Sequence, residues 1–256
     1  VRDLQNMMRD HFEGTPFDMT KDPGATNWWG VPYRYRPMDF TVDGQKYSQE
    51  RAIATQQTGF VFVSQMRSWL PDAVGGVLWF GVDDANTAVF VPMYCSISEV
   101  PASYAQGKGD LYDFDFDAAF WVNNLVANMA YNRYSLMIDD IRKVQGGIED
   151  GFERQQPEVE AKAVEMLKSN PGEATTYLTN YSVECGQNAT ARYQELVKYL
   201  IVKYLDGNVK KEKNGKFERN EYGMPVQPSW PGYTQDYYNT VVKGSGDRLK
   251  VVEPEK

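Results

Sequence analysis

Val77-Leu78-Trp79-Phe80-Gly81-Val82-Asp83-Asp84-Ala85-Asn86-Thr87-Ala88-Val89-Phe90-Val91-Pro92 is the stretch whose reading decides the fold. Two short apolar runs, β-branched and aromatic, flank a polar segment of turn-forming residues. That pattern predicts buried strands over Val77–Val82 and Ala88–Val91, joined as a hairpin through Asp83-Asp84-Ala85-Asn86-Thr87. Proline has no N–H for a ladder, so the second strand ends at Pro92 or lies at a sheet edge there. Phe60-Val61-Phe62-Val63 is a third run of the same kind.

Past Asp117 the apolar period lengthens from two to about four. Trp121, Leu125 and Met129 share a face, as do Val122, Val126 and Ala130, and Met137, Ile141 and Val144 continue the pattern. Asp117 is the expected N-cap. Gly146-Gly147 is expected to end or kink this helix, and a second helix is expected to start near Pro157. Asn170-Pro171-Gly172-Glu173 marks a third start, with an Asn cap, Pro in the first turn and Glu at the third position. A further helix is expected over Arg192–Leu205, with Gly207 just past its end. Lys210–Lys216 reads as an exposed turn, and the tail after Lys243 as weakly ordered. Strands followed by helices give an α+β class, helices covering one face of an antiparallel sheet. The expected division is a loop, sheet and first-helix portion, 1–145, and a helical portion, 146–256, together one domain.

Upstream of the sheet, residues 1–14 carry a short helical pattern closed by Gly14. Thr15–Pro37 is irregular and aromatic, and Trp28, Trp29, Tyr33 and Tyr35 are candidates either to line a pocket or to pin the loop. Composition narrows the chemistry. The net charge of −8 argues against a nucleic-acid partner, and no apolar stretch is long enough to span a membrane. Two distant cysteines make neither a disulfide framework nor a zinc pattern, and no cofactor or metal is implied. The single histidine, His11, expected at a mobile terminus, argues against a Ser-His-Asp hydrolase or a multi-histidine metal site. Any catalysis here must work without imidazole. The opening Val1-Arg2-Asp3-Leu4 has neither an initiator Met nor a signal pattern and reads as a cut inside a longer protein.

Several strings resemble the dipeptidase A family of bacterial cysteine peptidases, relatives of secernin among the N-terminal-nucleophile hydrolases. They are Met8-Arg9-Asp10-His11-Phe12-Glu13-Gly14-Thr15-Pro16-Phe17-Asp18-Met19-Thr20, Glu50–Gly59, Ser64-Gln65-Met66-Arg67-Ser68-Trp69-Leu70-Pro71, Gly75–Asp84, Val91-Pro92-Met93-Tyr94-Cys95 and Ala119-Phe120-Trp121-Val122. The resemblance covers roughly the first 145 residues. It implies a four-layer α/β/β/α fold and hydrolysis of dipeptides by a cysteine exposed as residue one, whose own α-amine is the base. That cysteine would lie upstream of Val1, in the N-terminal half of the same protein, so this chain alone is expected to be inactive.

Cys95 and Cys185 are read as ordinary small residues. Arg67 is the candidate assisting residue, because its fork suits a carboxylate or an oxyanion; the bland counterpart is an arginine paired to a nearby acid. Gln57, Asp84, Trp79 and Asn123 are the candidate substrate contacts, with Asp83 and Gln56 beside them. Asp83 and Asp84 would take the substrate ammonium, or else cap the turn. Trp69, Trp79 and Trp121 are expected in the core first. The aromatics leave an alternative: a non-catalytic peptide- or carbohydrate-binding module. A cut four-layer fold would expose a sheet face or edge, so the further expectation is either a homo-oligomer or a cut that falls at a domain boundary.

Overall fold

The computed structural model describes residues 1–26, 29–34, 38–49 and 51–252. Trp28 and Tyr35, named above as pocket candidates, lie outside the described residues. The three expected strands form one antiparallel sheet: β3 (Phe60–Met66), β4 (Gly76–Val82) and β5 (Val91–Tyr94), in the order β3-β4-β5. Two hairpins flank it in sequence, β1 (Met38–Val42) with β2 (Gln45–Gln49) and β6 (Glu212–Lys213) with β7 (Lys216–Phe217). The class is α+β.

The register pairs Val63 with Trp79 and Trp79 with Pro92. Partners across a ladder share a face, so Val61, Val63, Val77, Trp79 and Tyr94 point one way, and all are buried. The third strand departs from expectation: it begins at Val91, not Ala88. The cause is Asp84, whose carboxylate holds the Thr87 N–H and hydroxyl while its carbonyl takes the Ala88 N–H. These bonds extend the turn past Thr87 and delay pairing. Pro92 sits mid-strand, as an edge strand allows. The open edge is covered by a helix: the Tyr94 N–H donates to the Ser182 hydroxyl at 3.3 Å and the Ser98 N–H to Thr179 at 3.1 Å.

The helices are α1 (Arg2–Met8), α2 (Asp72–Gly75), α3 (Ala119–Ala130), α4 (Tyr134–Ser169), α5 (Pro171–Tyr204) and α6 (Gln235–Ser245). Five expectations need correction. The helical pattern after Asp117 is broken at Tyr131–Arg133 into α3 and α4. Asp117 is not the cap: Ala118 holds that position, and the Asp117 carboxylate instead accepts from Gln194 of α5. Gly146-Gly147 does not end the helix, and no new helix starts near Pro157, which lies inside α4. Ile148, Phe152, Val159 and Ala163 are buried on both sides of Pro157, so core burial along the helix outweighs one missing hydrogen bond. The helix expected from Arg192 is the last part of α5, which runs unbroken from Pro171.

The Asn170 cap holds as read. Its side chain accepts from the Glu173 N–H at 3.2 Å, and this single residue turns α4 back into α5. Asn170→Ala should lower stability by about 1 kcal/mol, visible as a lower urea midpoint with unchanged slope. α4 crosses residue 146 without a break, and residues from both sides of it share one core. Among the described residues no helix is long and apolar enough to cross a membrane.

The other face of the sheet is different. Phe60, Phe62 and Met66 are 61%, 49% and 63% exposed, and the Phe60 ring stacks 5.9 Å from Phe80, which is itself half-buried against the core and Tyr104. One face of the sheet is thus packed against helices, while the other is apolar and half bare.

Candidate active site

At the Val82 end of β4 the chain enters a left-handed residue, Asp83, with φ of 68°. Its N–H bonds the Gly59 carbonyl at 2.9 Å, and its Oδ1 accepts from Asn124 of α3 at 2.9 Å. Its Oδ2 is buried with no partner among the described residues. Burial, reinforced by the neighbouring Asp84 charge and opposed by Asn124, pushes the carboxyl up to about 7. Asp84 is fully buried too. One oxygen takes Thr87, and the other takes the Tyr131 hydroxyl at 3.1 Å.

His11 completes this cluster. Its Nε2 lies 3.3 Å from the Tyr131 hydroxyl, and its Nδ1 lies 3.4 Å from Glu13 and 3.5 Å from Asn86. It is 1% exposed, so the expected mobile position is corrected: the single histidine is a core residue. The break between α3 and α4 explains the placement, because it sets Tyr131 and Tyr134 side by side, both edge-on to the imidazole. Tyr134 donates to Asn86 Oδ1 at 2.8 Å, and Asn86 donates to the Arg9 carbonyl at 2.8 Å. Below them Glu149 accepts from Arg2, Arg9 and the Phe90 N–H.

The residues read as site candidates fall in several places. Arg67 lies beyond the Gly76 end of β4, where it pairs with Glu160 at 2.6 Å and donates to the Val74 and Gly75 carbonyls. A seven-residue strand separates it from Asp83 and Asp84, roughly 20 Å. Trp79 is wholly buried mid-strand, with its Nε1 donating to Gln65 at 3.0 Å. Asn123 is buried in α3 and donates to the Ala119 carbonyl at 2.8 Å. Gln57 donates to the Tyr33 hydroxyl and Gln56 to Asn128. Trp121 donates to the Asp113 carbonyl, whereas Trp69 is 77% exposed and outside the core expected for it. His11, Asn86, Asn124, Tyr131, Tyr134 and Glu149 were not legible as a group, since their partners are distant in sequence.

Both cysteines are free thiols, Cys95 exposed and Cys185 buried. Burial pushes the Cys185 thiol up to about 12, far from the thiolate a nucleophile needs. Cys95 follows Tyr94, at the end of the sheet opposite Asp84 and therefore opposite His11. Among the described residues neither thiol bonds to the imidazole. Iodoacetamide should label Cys95 alone in the folded chain, and both cysteines in urea, as mass spectrometry will count.

Residues 1–147, more than half of the chain, match peptidase family C69. The chain belongs to that family. The C69 stretch contains His11, Asp83, Asp84, Asn86, Tyr131 and Tyr134, so the buried polar cluster lies within it. Two curated relatives are dipeptidases by name. A probable dipeptidase B of Lactococcus lactis subsp. lactis (strain IL1403) is 27% identical over 141 residues, covering 54% of this chain and 25% of that protein. A probable dipeptidase of Latilactobacillus sakei is 21% identical over 201 residues, covering 78% of this chain and 37% of that protein. This C69 chain therefore spans between a quarter and two fifths of the length of those relatives.

Proposed function

We propose that the chain is the C-terminal part of a bacterial dipeptidase whose nucleophile is an N-terminal cysteine supplied from upstream, and that the chain alone is inactive. In that chemistry the cysteine thiol attacks the peptide carbonyl while its own α-amine takes the proton. The C-terminal amino acid then leaves, and water hydrolyses the thioester. An unperturbed α-amine titrates near about 8, so it can act as base near neutral pH. Membership of C69 supports the reaction class.

The observation that carries the division of labour is the bare sheet face. Phe60, Phe62 and Met66 project from a sheet whose other side is already covered, which is the surface a second sheet of an α/β/β/α sandwich would bury. The upstream half of the same protein is the partner that fits it. The chain's own thiols do not compete for the catalytic role: one is held protonated in the core, and the backbone nitrogen of the other, Cys95, is tied up in the peptide bond to Tyr94 and cannot serve as an amine base.

A dipeptide carries its ammonium and carboxylate too close together to reach both ends of β4. We assign the substrate end to Asp83 and Asp84, because Asp83 keeps one carboxylate oxygen unpaired, whereas each nitrogen of the Arg67 guanidinium is engaged. In the full-length protein Asp83→Asn should raise KM for dipeptides and Arg67→Ala should leave kcat/KM unchanged once folding is matched. The direct test of the nucleophile is mass spectrometry of the mature parent's first residue. Cysteine is expected there, and any other first residue removes the proposal.

A further inference from the structure

The two edges of the β3-β4-β5 sheet are finished differently. The β5 edge is covered by α5, through Ser182 and Thr179. The β3 edge is open. The Asp83 N–H bonds the Gly59 carbonyl at one end of β3, and the Arg67 N–H bonds the Gly75 carbonyl at the other. Hydrogen-bonded pairs alternate along an antiparallel ladder, so Val61, Val63 and Gln65 turn their backbone groups to β4. Phe60, Phe62, Ser64 and Met66 turn theirs outward, and among the described residues β3 pairs with no strand but β4. Open edges are ordinarily blunted by a charge, a proline or a bulge. β3, Phe-Val-Phe-Val-Ser-Gln-Met, has neither charge nor proline, and its register with β4 is unbroken.

The helix beneath this edge is unfinished in the same direction. α1 packs against β3. Its Gln5 is buried, and Arg2, on one flank, reaches Glu149 and Asp150 of α4. Leu4 and Met7, three residues apart on one face, lie on the flank turned away from α4, and both are exposed. Edge and stripe form one apolar surface, two layers deep.

We propose that this surface pairs with a second copy of itself about a two-fold axis through Val63. An isologous contact needs a patch that fits its own image. β3 does. With Val63 opposite Val63, Phe60 lies opposite Met66 of the second copy and Phe62 opposite Ser64. Every outward N–H and C=O then falls in a hydrogen-bonded pair, and no charge meets a like charge. A slip by one residue would set outward groups against inward ones. Below the joined sheet, α1 meets its image and buries Leu4 and Met7. The bare sheet face is left free, so the pairing stands whatever covers that face and whether or not the parent protein is a peptidase.

Sedimentation equilibrium of the chain should give a reversible dimer, twice 29.2 kDa. Ser64→Pro removes an outward N–H and no bond to β4, just as Pro92 is accommodated in β5. It should weaken the dimer at least tenfold with unchanged circular dichroism. Register is read by Phe60→Cys with Met66→Cys in a Cys95→Ser background. Within one strand the two thiols stand roughly 20 Å apart, too far to bridge. Across the proposed pair their Cα atoms stand about 5.5 Å apart, within disulfide reach. Mild oxidation should therefore yield a covalent dimer, in this chain and in the full-length parent alike. A chain that stays monomeric to its highest soluble concentration overturns the proposal, as does a dimer that Ser64→Pro leaves intact or that forms no cross-link. A cross-link in the chain but not in the parent means that an upstream strand occupies the edge, and overturns it too.

Discussion

Glu149→Ala should lower the unfolding free energy of the chain by about 3–5 kcal/mol, among the largest losses any single side chain here will give. Glu149 is 1% exposed, and its two oxygens answer Arg9, Arg2 and the Phe90 N–H. Replacing it strands the buried Arg9 guanidinium, which lies over the Phe90 ring with 10% of its side chain in solvent. A buried charge left without its partner is the expensive case, more so than a missing neutral hydrogen bond. Glu149→Gln keeps the shape and one acceptor, so it should fall between wild type and alanine. Urea unfolding measures all three. A loss under about 1 kcal/mol for the alanine variant would mean that Arg9 finds water, contrary to its packing.

The second large effect is a dependence on pH. Burial pushes the Asp83 carboxyl up to about 7 in the fold, against about 3.9 for an ordinary aspartate. A carboxyl raised on folding binds its proton more tightly in the native state. Its stabilising contribution is therefore complete below about pH 4, is lost as pH rises through 7, and stays lost above. Asp83→Asn is neutral at every pH, can adopt the left-handed backbone, and still accepts from Asn124 through its amide oxygen. The variant should be more stable than wild type at pH 8 by roughly 4 kcal/mol and should have lost the slope between pH 4 and 7. Parallel stability curves for the two proteins across that window would show that Asp83 is ionised with little penalty.

The sheet and the helical half were readable for physical reasons that stay local. Val77–Val82 is a strand because its residues suit a buried pleat, and Asn170 starts α5 because its side chain reaches the Glu173 N–H. The errors share a cause: local signals were read without tertiary support. Pro157 and Gly146-Gly147 punctuate sequence strongly, yet α4 runs through all three because it is packed along its length. The third strand starts three residues late because the Asp84 carboxylate prolongs the turn. Asp43-Gly44 and Asn214-Gly215 are strong hairpin signals and do make hairpins, with both residues at positive φ. The His11 cluster was beyond reach, since Tyr131 stands 120 positions away and only the fold joins them. Arg67 takes the place its ordinary reading described, an arginine paired to a nearby acid.

The division between a chain that shapes the site and an upstream thiol that performs the chemistry is tested most directly by dipeptide hydrolysis. The full-length parent protein and this chain alone are compared at equal concentration, with and without iodoacetamide. The parent should release free amino acids in a thiol-blockable reaction, and the chain alone should release none above buffer. Thiol-dependent turnover by the chain alone at the parent's rate would contradict the account.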